Sequence, residues 1–277
     1  MIVAVDGGRS YYKVATENGI KTRFQSLVTP YYKTDWDCLN TEDDTVIEYE
    51  GEKYYVGPIV DVVGDADRGR RFHDDKAGKH TLLLTLRALW KIGANEFDPV
   101  DLVTCVPLDR FNEDKEKMKQ LLIGENGGIH HFKITNCNGT EHRTVRIRNV
   151  AVTVEGAGAF FDQPEPGEVR VFMFGSRKST AITFRNKRYI PPESQSLPWG
   201  WDTLLKQNRT HKYVAEAFAG EMSKKWPADS KLLVVGGQAD KGLTDAIQEY
   251  YRNAYTVGDP QMADARGMVK IGMVKFR

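Results

Sequence analysis

Cysteine is scarce and scattered in this 277-residue chain. Cys38, Cys105 and Cys137 are odd in number and far apart, which excludes a disulfide framework and a Cys-x-x-Cys metal pair. They read as reduced thiols. Long apolar runs are absent too: nothing approaches the roughly 20 residues that a membrane helix needs, and no leader of charged, apolar and small blocks opens the chain. The expectation is a cytoplasmic bacterial protein with no membrane partner. Charge of one sign is also lacking, the net being +1 at pH 7 from 39 Lys and Arg against 38 Asp and Glu. That leaves no global electrostatic case for gripping nucleic acid, so any link to DNA is indirect. Low-complexity segments and short-period repeats are missing. His130-His131 has no Cys or carboxylate at ligand spacing, so no transition-metal site is drawn from it.

What remains is an ordinary globular composition, 40% hydrophobic and 28% charged, on a chain long enough for two moderate cores. Met1 to Asp6 is a short apolar run that halts at Gly7-Gly8, and Tyr11 to Thr16 resumes the alternation, which predicts a β-hairpin. A second hairpin is expected over Val46 to Val56, turning near Glu50-Gly51. Thr81 to Ile92 has a helical apolar face with a stop at Gly93. Leu102 to Val106 is a strand closed by Pro107 and followed by a helix over Asn112 to Ile123, a strand-then-helix order that suggests an α/β layer. Strands are expected at Phe132 to Ile134 and Glu141 to Val154 around Asn138-Gly139, then a short helix over Gly156 to Phe161. Gln163 to Gly167 is the natural crossing between domains. Beyond it, Glu168 to Phe174 and Ser179 to Phe184 pair around Gly175, echoing the first hairpin. One long helix over Trp201 to Trp226, a strand over Lys231 to Val235, and helices over Gly242 to Tyr251 and Pro260 to Gly272 complete the chain.

Three turns carry chemistry. Asp6, Gly7, Gly8, Ser10 and Lys13 form D-G-G-x-S-x-x-K. Glycines let backbone N–H groups approach phosphate, serine donates, lysine supplies charge, and aspartate can hold hydrated Mg²⁺. The same residues equally make a Gly-Gly hairpin turn with a solvated lysine. Gly175, Ser176, Arg177, Lys178 and Ser179 form a second glycine- and hydroxyl-rich turn, otherwise a polar turn with two exposed cations. Two such turns, one from each lobe, would clamp a polyphosphate. Gly236, Gly237, Gln238 and Ala239 end an apolar strand before a helix, where backbone can approach a base or ribose; any α/β domain also has such turns.

In order and spacing these turns resemble the two phosphate loops and the adenosine loop of the actin superfamily. Further segments resemble bacterial plasmid-segregation actins related to ParM: Tyr49–Gly57 (YEGEKYYVG), Thr104–Pro107 (TCVP), Val152–Ala159 (VTVEGAGA) and Asp259–Gly272 (DPQMADARGMVKIG). The resemblance implies an α/β, actin-like (ribonuclease H-like) two-lobed fold. Lobe one would hold residues 1–162 and 260–277, with an outer subdomain over about 28–98, and lobe two residues 163–259. It also implies a slow ATPase with ATP or GTP and Mg²⁺ as cofactors, Asp6 as the metal-holding carboxylate and Glu155 as the residue that orients the attacking water. On residues alone, Glu155 is equally a solvated glutamate at a helix start. Implied partners are further copies of the chain, in a filament, and a small DNA-binding adaptor on plasmid centromere DNA. A small-molecule kinase and a nucleotide-sensing scaffold with little hydrolysis are the competing readings on the same fold.

Two departures stand out. Where the family carries an acidic residue before the second phosphate loop, and often another after its hydroxyls, this chain has Met173 and Thr180, with Arg177 and Lys178 as added cations that could neutralise phosphate directly. Between Phe184 and Lys231 there is no room for the usual outer subdomain of lobe two. That economy resembles the AlfA type and leaves base contacts to Gly236–Ala239 and the long helix. Arg68, Arg70 and Arg71, and the basic strand of His142, Arg143, Arg146 and Arg148, read as solvated surface. Trp199 and Trp201 read as core anchors.

Overall fold

The computed structural model describes residues 1–35, 38–64, 76–205 and 210–277, so Arg68, Arg70 and Arg71 lie outside the described residues. The chain divides into two compact units: Met1–Thr104 with Asn112–Val152 and Gly272–Arg277, and Cys105–Phe111 with Thr153–Ile271. From sequence, residues 153–162 and 260–271 belong with lobe one. Here they fall within the second unit, where Ala157, Phe160 and Ala263 join one core with Val169, Ile182 and Phe184.

In the first unit the elements are β1 (Ile2–Gly7), β2 (Tyr11–Thr16), β3 (Lys21–Gln25), β4 (Val28–Pro30), β5 (Thr45–Tyr49), β6 (Glu52–Val56), α1 (Ile59–Val62), α2 (Lys79–Lys91), β7 (Val100–Val106), α3 (Phe111–Ile123), β8 (Ile129–Asn136) and β9 (Gly139–Val154); β7, α3 and β9 each run past the unit's limits. Among the described residues they make a nine-stranded sheet in the order β3-β2-β1-β7-β9-β8-β5-β6-β4. β1 pairs antiparallel with β2 and parallel with β7. The β5–β6 turn places Glu50 and Gly51 both at positive φ, 52° and 80°, the two-residue geometry whose twist matches paired strands. The strands missed from sequence are short or at an edge: β3 reads KTRFQ and buries only Phe24, so it shows no alternation to detect.

His130 on β8 is buried between α3 and β5, where Nε2 lies 2.8 Å from the Leu122 carbonyl and Nδ1 3.1 Å from the Tyr49 hydroxyl. Burial holds this imidazole below its ordinary range, against the opposing pull of the Leu122 carbonyl. A neutral ring donates from Nε2 and accepts at Nδ1. As pH falls through about 6.5 the unfolded chain takes up a proton that the folded chain resists, so stability declines toward acid. Urea midpoints should therefore drop between pH 7 and pH 5.5. In His130→Gln the drop should be smaller; an unchanged slope in that variant would assign it to other groups.

In the second unit the elements are α4 (Ala157–Asp162), β10 (Glu168–Phe174), β11 (Ser179–Arg185), β12 (Arg188–Tyr189), β13 (Gln195–Leu197), α5 (Trp201–Leu205), α6 (His211–Met222), β14 (Lys231–Gly236), α7 (Lys241–Gln248), β15 (Asn253–Tyr255) and α8 (Ala263–Phe276), the last of which ends in the first unit's residues. The sheet order is β12-β11-β10-β14-β15, with β13 on β11. β10 is buried on both faces, and its alternation feeds two cores. Phe172 and Phe174 join Phe218 and Trp226, while Val169 and Val171 join Phe160, Ile182 and Phe184. Phe172 stacks on Phe218 at 3.9 Å between centroids.

The single long helix expected over Trp201 to Trp226 is instead two, α5 and α6. Thr210 is extended (φ −96°, ψ 165°) and its hydroxyl accepts the N–H of Tyr213, an N-cap that starts α6 afresh. Trp199 and Trp201 pack against the Phe172 core, as anchors should. No helix among the described residues is long and apolar enough to cross a membrane.

Candidate functional site

The first turn joins β1 to β2. Hairpin register sets Asp6 directly opposite Lys13, and their side chains close an ion pair of 2.6 Å between Lys13 Nζ and Asp6 Oδ2. Both are buried, Asp6 to 0% and Lys13 to 5% exposure. Burying two charges is costly unless they meet, and here they do. Gly8 N–H donates to the Asp6 carbonyl at 2.9 Å, and Ser26 ties the turn from β3's end, its hydroxyl donating to the Gly8 carbonyl and its N–H to that of Ser10. A Cβ on Gly8 would sit 2.7 Å from the Tyr11 carbonyl oxygen, so only glycine lets the backbone fold this tightly.

The second turn joins β10 to β11. A Cβ on Gly175 would lie 2.3 Å from the Lys178 carbonyl oxygen. The start of α5 supports the turn from behind: Trp201 N–H donates to the Gly175 carbonyl (2.8 Å) and Asp202 N–H to that of Ser176 (2.7 Å). With its carbonyls so engaged, the turn is held in one shape. Ser179 Oγ donates to the Trp199 carbonyl, and Lys178 Nζ reaches Asp109 at 2.9 Å. Lys178 is thus held in place by a carboxylate outside every sequence motif, since Asp109 sits in the 3₁₀ turn after Pro107.

Met173 and Thr180 prove to be cross-strand partners. The methionine side chain packs on Gly156, whose own Cβ, if present, would meet Met173 Cβ at 3.1 Å and Sδ at 3.3 Å. This position serves packing.

The third turn follows β14. β10 and β14 run parallel with Phe174 opposite Gly236, so the second and third turns lie at the carboxyl ends of neighbouring strands, where α/β sheets commonly bind ligands. Gly236 has φ +119°, and a Cβ would strike the Phe174 carbonyl oxygen at 2.2 Å. Gly237 and Gln238 are exposed, Ala239 is buried, and Asp240 caps α7 through the Leu243 N–H at 2.8 Å.

Glu155 precedes α4 and is half-buried, its N–H donating to the Val106 carbonyl at 3.0 Å. Gly156, at φ +86°, turns the chain into the helix. Asp264 is not among the residues expected from sequence, yet its buried carboxylate accepts the N–H groups of Gly156 and Ala159, each at 3.1 Å. Only the acidic residue within the D-A-R-G run could have signalled it.

The residues suit the cofactors expected from sequence. The first turn combines an open glycine backbone, the Ser10 hydroxyl and the Lys13 ammonium, a donor set for phosphate oxygens. Asp6 offers a hard carboxylate oxygen, and Mg²⁺ commonly needs only one or two carboxylates besides phosphates and water.

The model of the actin-like proteins' N-terminal domain matches residues 4–158. No curated protein matches by sequence. Among solved structures, an AlfA filament bound to AMPPNP is similar at 17% identity and a TM-score of 0.74, covering 100% of this chain and 96% of that one. AlfA from B. subtilis plasmid pLS32, also as a filament, is similar at 18% and 0.76, covering 100% and 99%. A 15-stranded ParM filament from Clostridium botulinum gives 15% and 0.78, with 99% of each chain covered. At such identities the likeness establishes the fold. Between β11 and β14 the described residues hold only β12, β13, a 3₁₀ turn, α5 and α6, so the second lobe is reduced as expected.

Proposed function

Since this chain belongs to the family of actin-like proteins, we propose that it is an ATP-binding, self-assembling protein that forms filaments and moves plasmid DNA through a small DNA-binding adaptor. The observation that carries nucleotide binding is the buried Asp6–Lys13 pair beside Gly7-Gly8. An ammonium already desolvated next to an open backbone turn interacts with phosphate more strongly than one in water. Filament formation draws its support from full-length similarity to the AlfA and ParM filaments.

In this reading Gly7, Gly8, Ser10 and Lys13 bind phosphate, and Asp6 holds Mg²⁺ through water. Gly175, Ser176, Arg177, Lys178 and Ser179 contribute a second set of donors, and Gly236 to Ala239 border the nucleoside of the nucleotide, which is ATP, with GTP as the alternative. Glu155 orients water and accepts its proton, so that hydrolysis acts as a slow timer on assembly. The protein works in the bacterial cytoplasm.

Sedimentation and electron microscopy of the purified chain, with ATP, with GTP and without nucleotide, test the assembly. Filaments should appear only with nucleotide and Mg²⁺. Persistent monomers under all conditions would sink the proposal, and phosphorylation of a metabolite would favour a kinase. Glu155→Ala should slow phosphate release by about 10²- to 10⁴-fold, the usual worth of a general base, while ATP still binds. Filaments that form with wild-type hydrolysis in Glu155→Ala would remove the catalytic role and leave the assembly.

A further inference from the structure

We propose that Asp264 is the positioning residue that fixes Glu155, acting as one end of a clamp by which α8 holds α4 at both termini. The inference rests on Glu155 being the water-orienting carboxylate.

Glu155 is joined to α4 through Gly156, which adopts the left-handed conformation and carries no side chain to restrain it. Backbone hydrogen bonds on either side fix the path of the chain that carries it. One is Glu155 N–H to the Val106 carbonyl at 3.0 Å. The next is Gly156 N–H to Asp264 Oδ2, and the other oxygen of the same carboxylate takes Ala159 N–H, each at 3.1 Å. Asp264 is 2% exposed, and it is 108 residues away in sequence from the glycine that it holds. Its N-cap residue, Gly156, has no side chain with which to cap α4.

The far end of α4 is held from the same helix. Arg266 donates to Asp162 Oδ2 from Nε at 2.9 Å and from Nη2 at 2.6 Å, and Lys270 Nζ donates to the Asp162 carbonyl. A carboxylate thus meets the amino end of α4 while two cations meet its carboxyl end, each the sign that the helix dipole favours. The middle is locked sterically. A Cβ on Gly158 would lie 2.3 Å from the Asp264 carbonyl oxygen, and one on Gly267 would lie 1.7 Å from that of Gly158. With no space to slide and opposite charges at the two ends, α4 is held in one seating, and the backbone that leads into its amino end is held with it.

The test uses the full chain with ATP and Mg²⁺ and measures phosphate release, nucleotide affinity and urea stability for Asp264→Asn, Asp162→Asn and Glu155→Gln. An asparagine offers one oxygen where two N–H groups need acceptors, and displacements of about 1 Å near a reacting group cost roughly a hundredfold. Asp264→Asn should lower kcat by about ten- to a hundredfold with nucleotide affinity kept within about twofold, a kcat-only loss. Asp162→Asn loosens the end away from Glu155 and should cost stability while leaving kcat within about threefold. Equal kcat loss in both variants would make the effect general loosening and overturn the proposal. If Glu155→Gln is slow and Asp264→Asn is not, the positioning role fails alone; if Glu155→Gln releases phosphate at the wild-type rate, the reading of Glu155 fails as well. Should Asp264→Asn not fold, hydrogen exchange on the unaltered chain decides: slow exchange at the Gly156 and Ala159 amides supports the clamp, and rapid exchange overturns it.

Discussion

Lys13→Met is expected to cost about 3–5 kcal/mol of stability and to abolish useful nucleotide binding. The first effect follows from leaving Asp6 buried at 0% exposure with its partner at 2.6 Å removed, and losing one member of a buried pair is much worse than losing both. The second follows from deleting an ammonium at the Gly7-Gly8 turn whose position is set by strand register. A hydrogen bond to a charged group contributes about 1.5–3 kcal/mol, which is roughly ten- to a hundredfold in affinity. Because the two effects have different origins, they can be separated. The double variant Asp6→Asn with Lys13→Met should recover most of the lost stability and none of the binding. Urea denaturation and a nucleotide titration, on both variants, measure the two quantities. Wild-type affinity in Lys13→Met would place phosphate elsewhere in the molecule.

Gly267→Ala should destabilise by more than about 4 kcal/mol, a loss reserved for a few mechanisms of which backbone overlap is one. The new methyl would fall 1.7 Å from the Gly158 carbonyl oxygen, 2.5 Å from its carbon and 2.6 Å from the Asp162 nitrogen. All three are backbone atoms, so no side chain can swing aside, and α4 and α8 would have to part. Gly220→Ala makes the contrast within the same unit. Gly220 is exposed inside α6 with nothing within 4 Å of its added carbon, so alanine there should stabilise by about 0.5–1 kcal/mol through helix propensity. Opposite signs for one chemical change would locate the effect in packing. A Gly267→Ala protein as stable as wild type would disprove the close crossing of α4 and α8.

The hairpins over residues 2–16 and 45–56, helix α2, the β10–β11 pair and the strand before Gly236 follow from patterns a few residues long. Alternation places a strand, a glycine at positive φ closes a turn, and both depend on neighbours in the chain. All three candidate turns were readable for the same reason, as were the missing outer subdomain, a matter of chain length between β11 and β14, and the family itself. The break at Thr210 was also local, but a hydroxyl that can cap a helix can equally sit within one, and the apolar spacing across it does not change.

Sequence by itself determined most of the elements and the three candidate turns. Tertiary structure decided their partners. Asp6 with Lys13, Lys178 with Asp109, Met173 on Gly156 and Asp264 on Gly156 are choices among many charges and apolar side chains of the same kind, and only the distance in space selects among them. Local backbone geometry is short-ranged and so is written in consecutive residues. Electrostatic pairing and close packing act between surfaces that folding brings together, and the Asp264–Gly156 pair joins residues 108 apart in sequence.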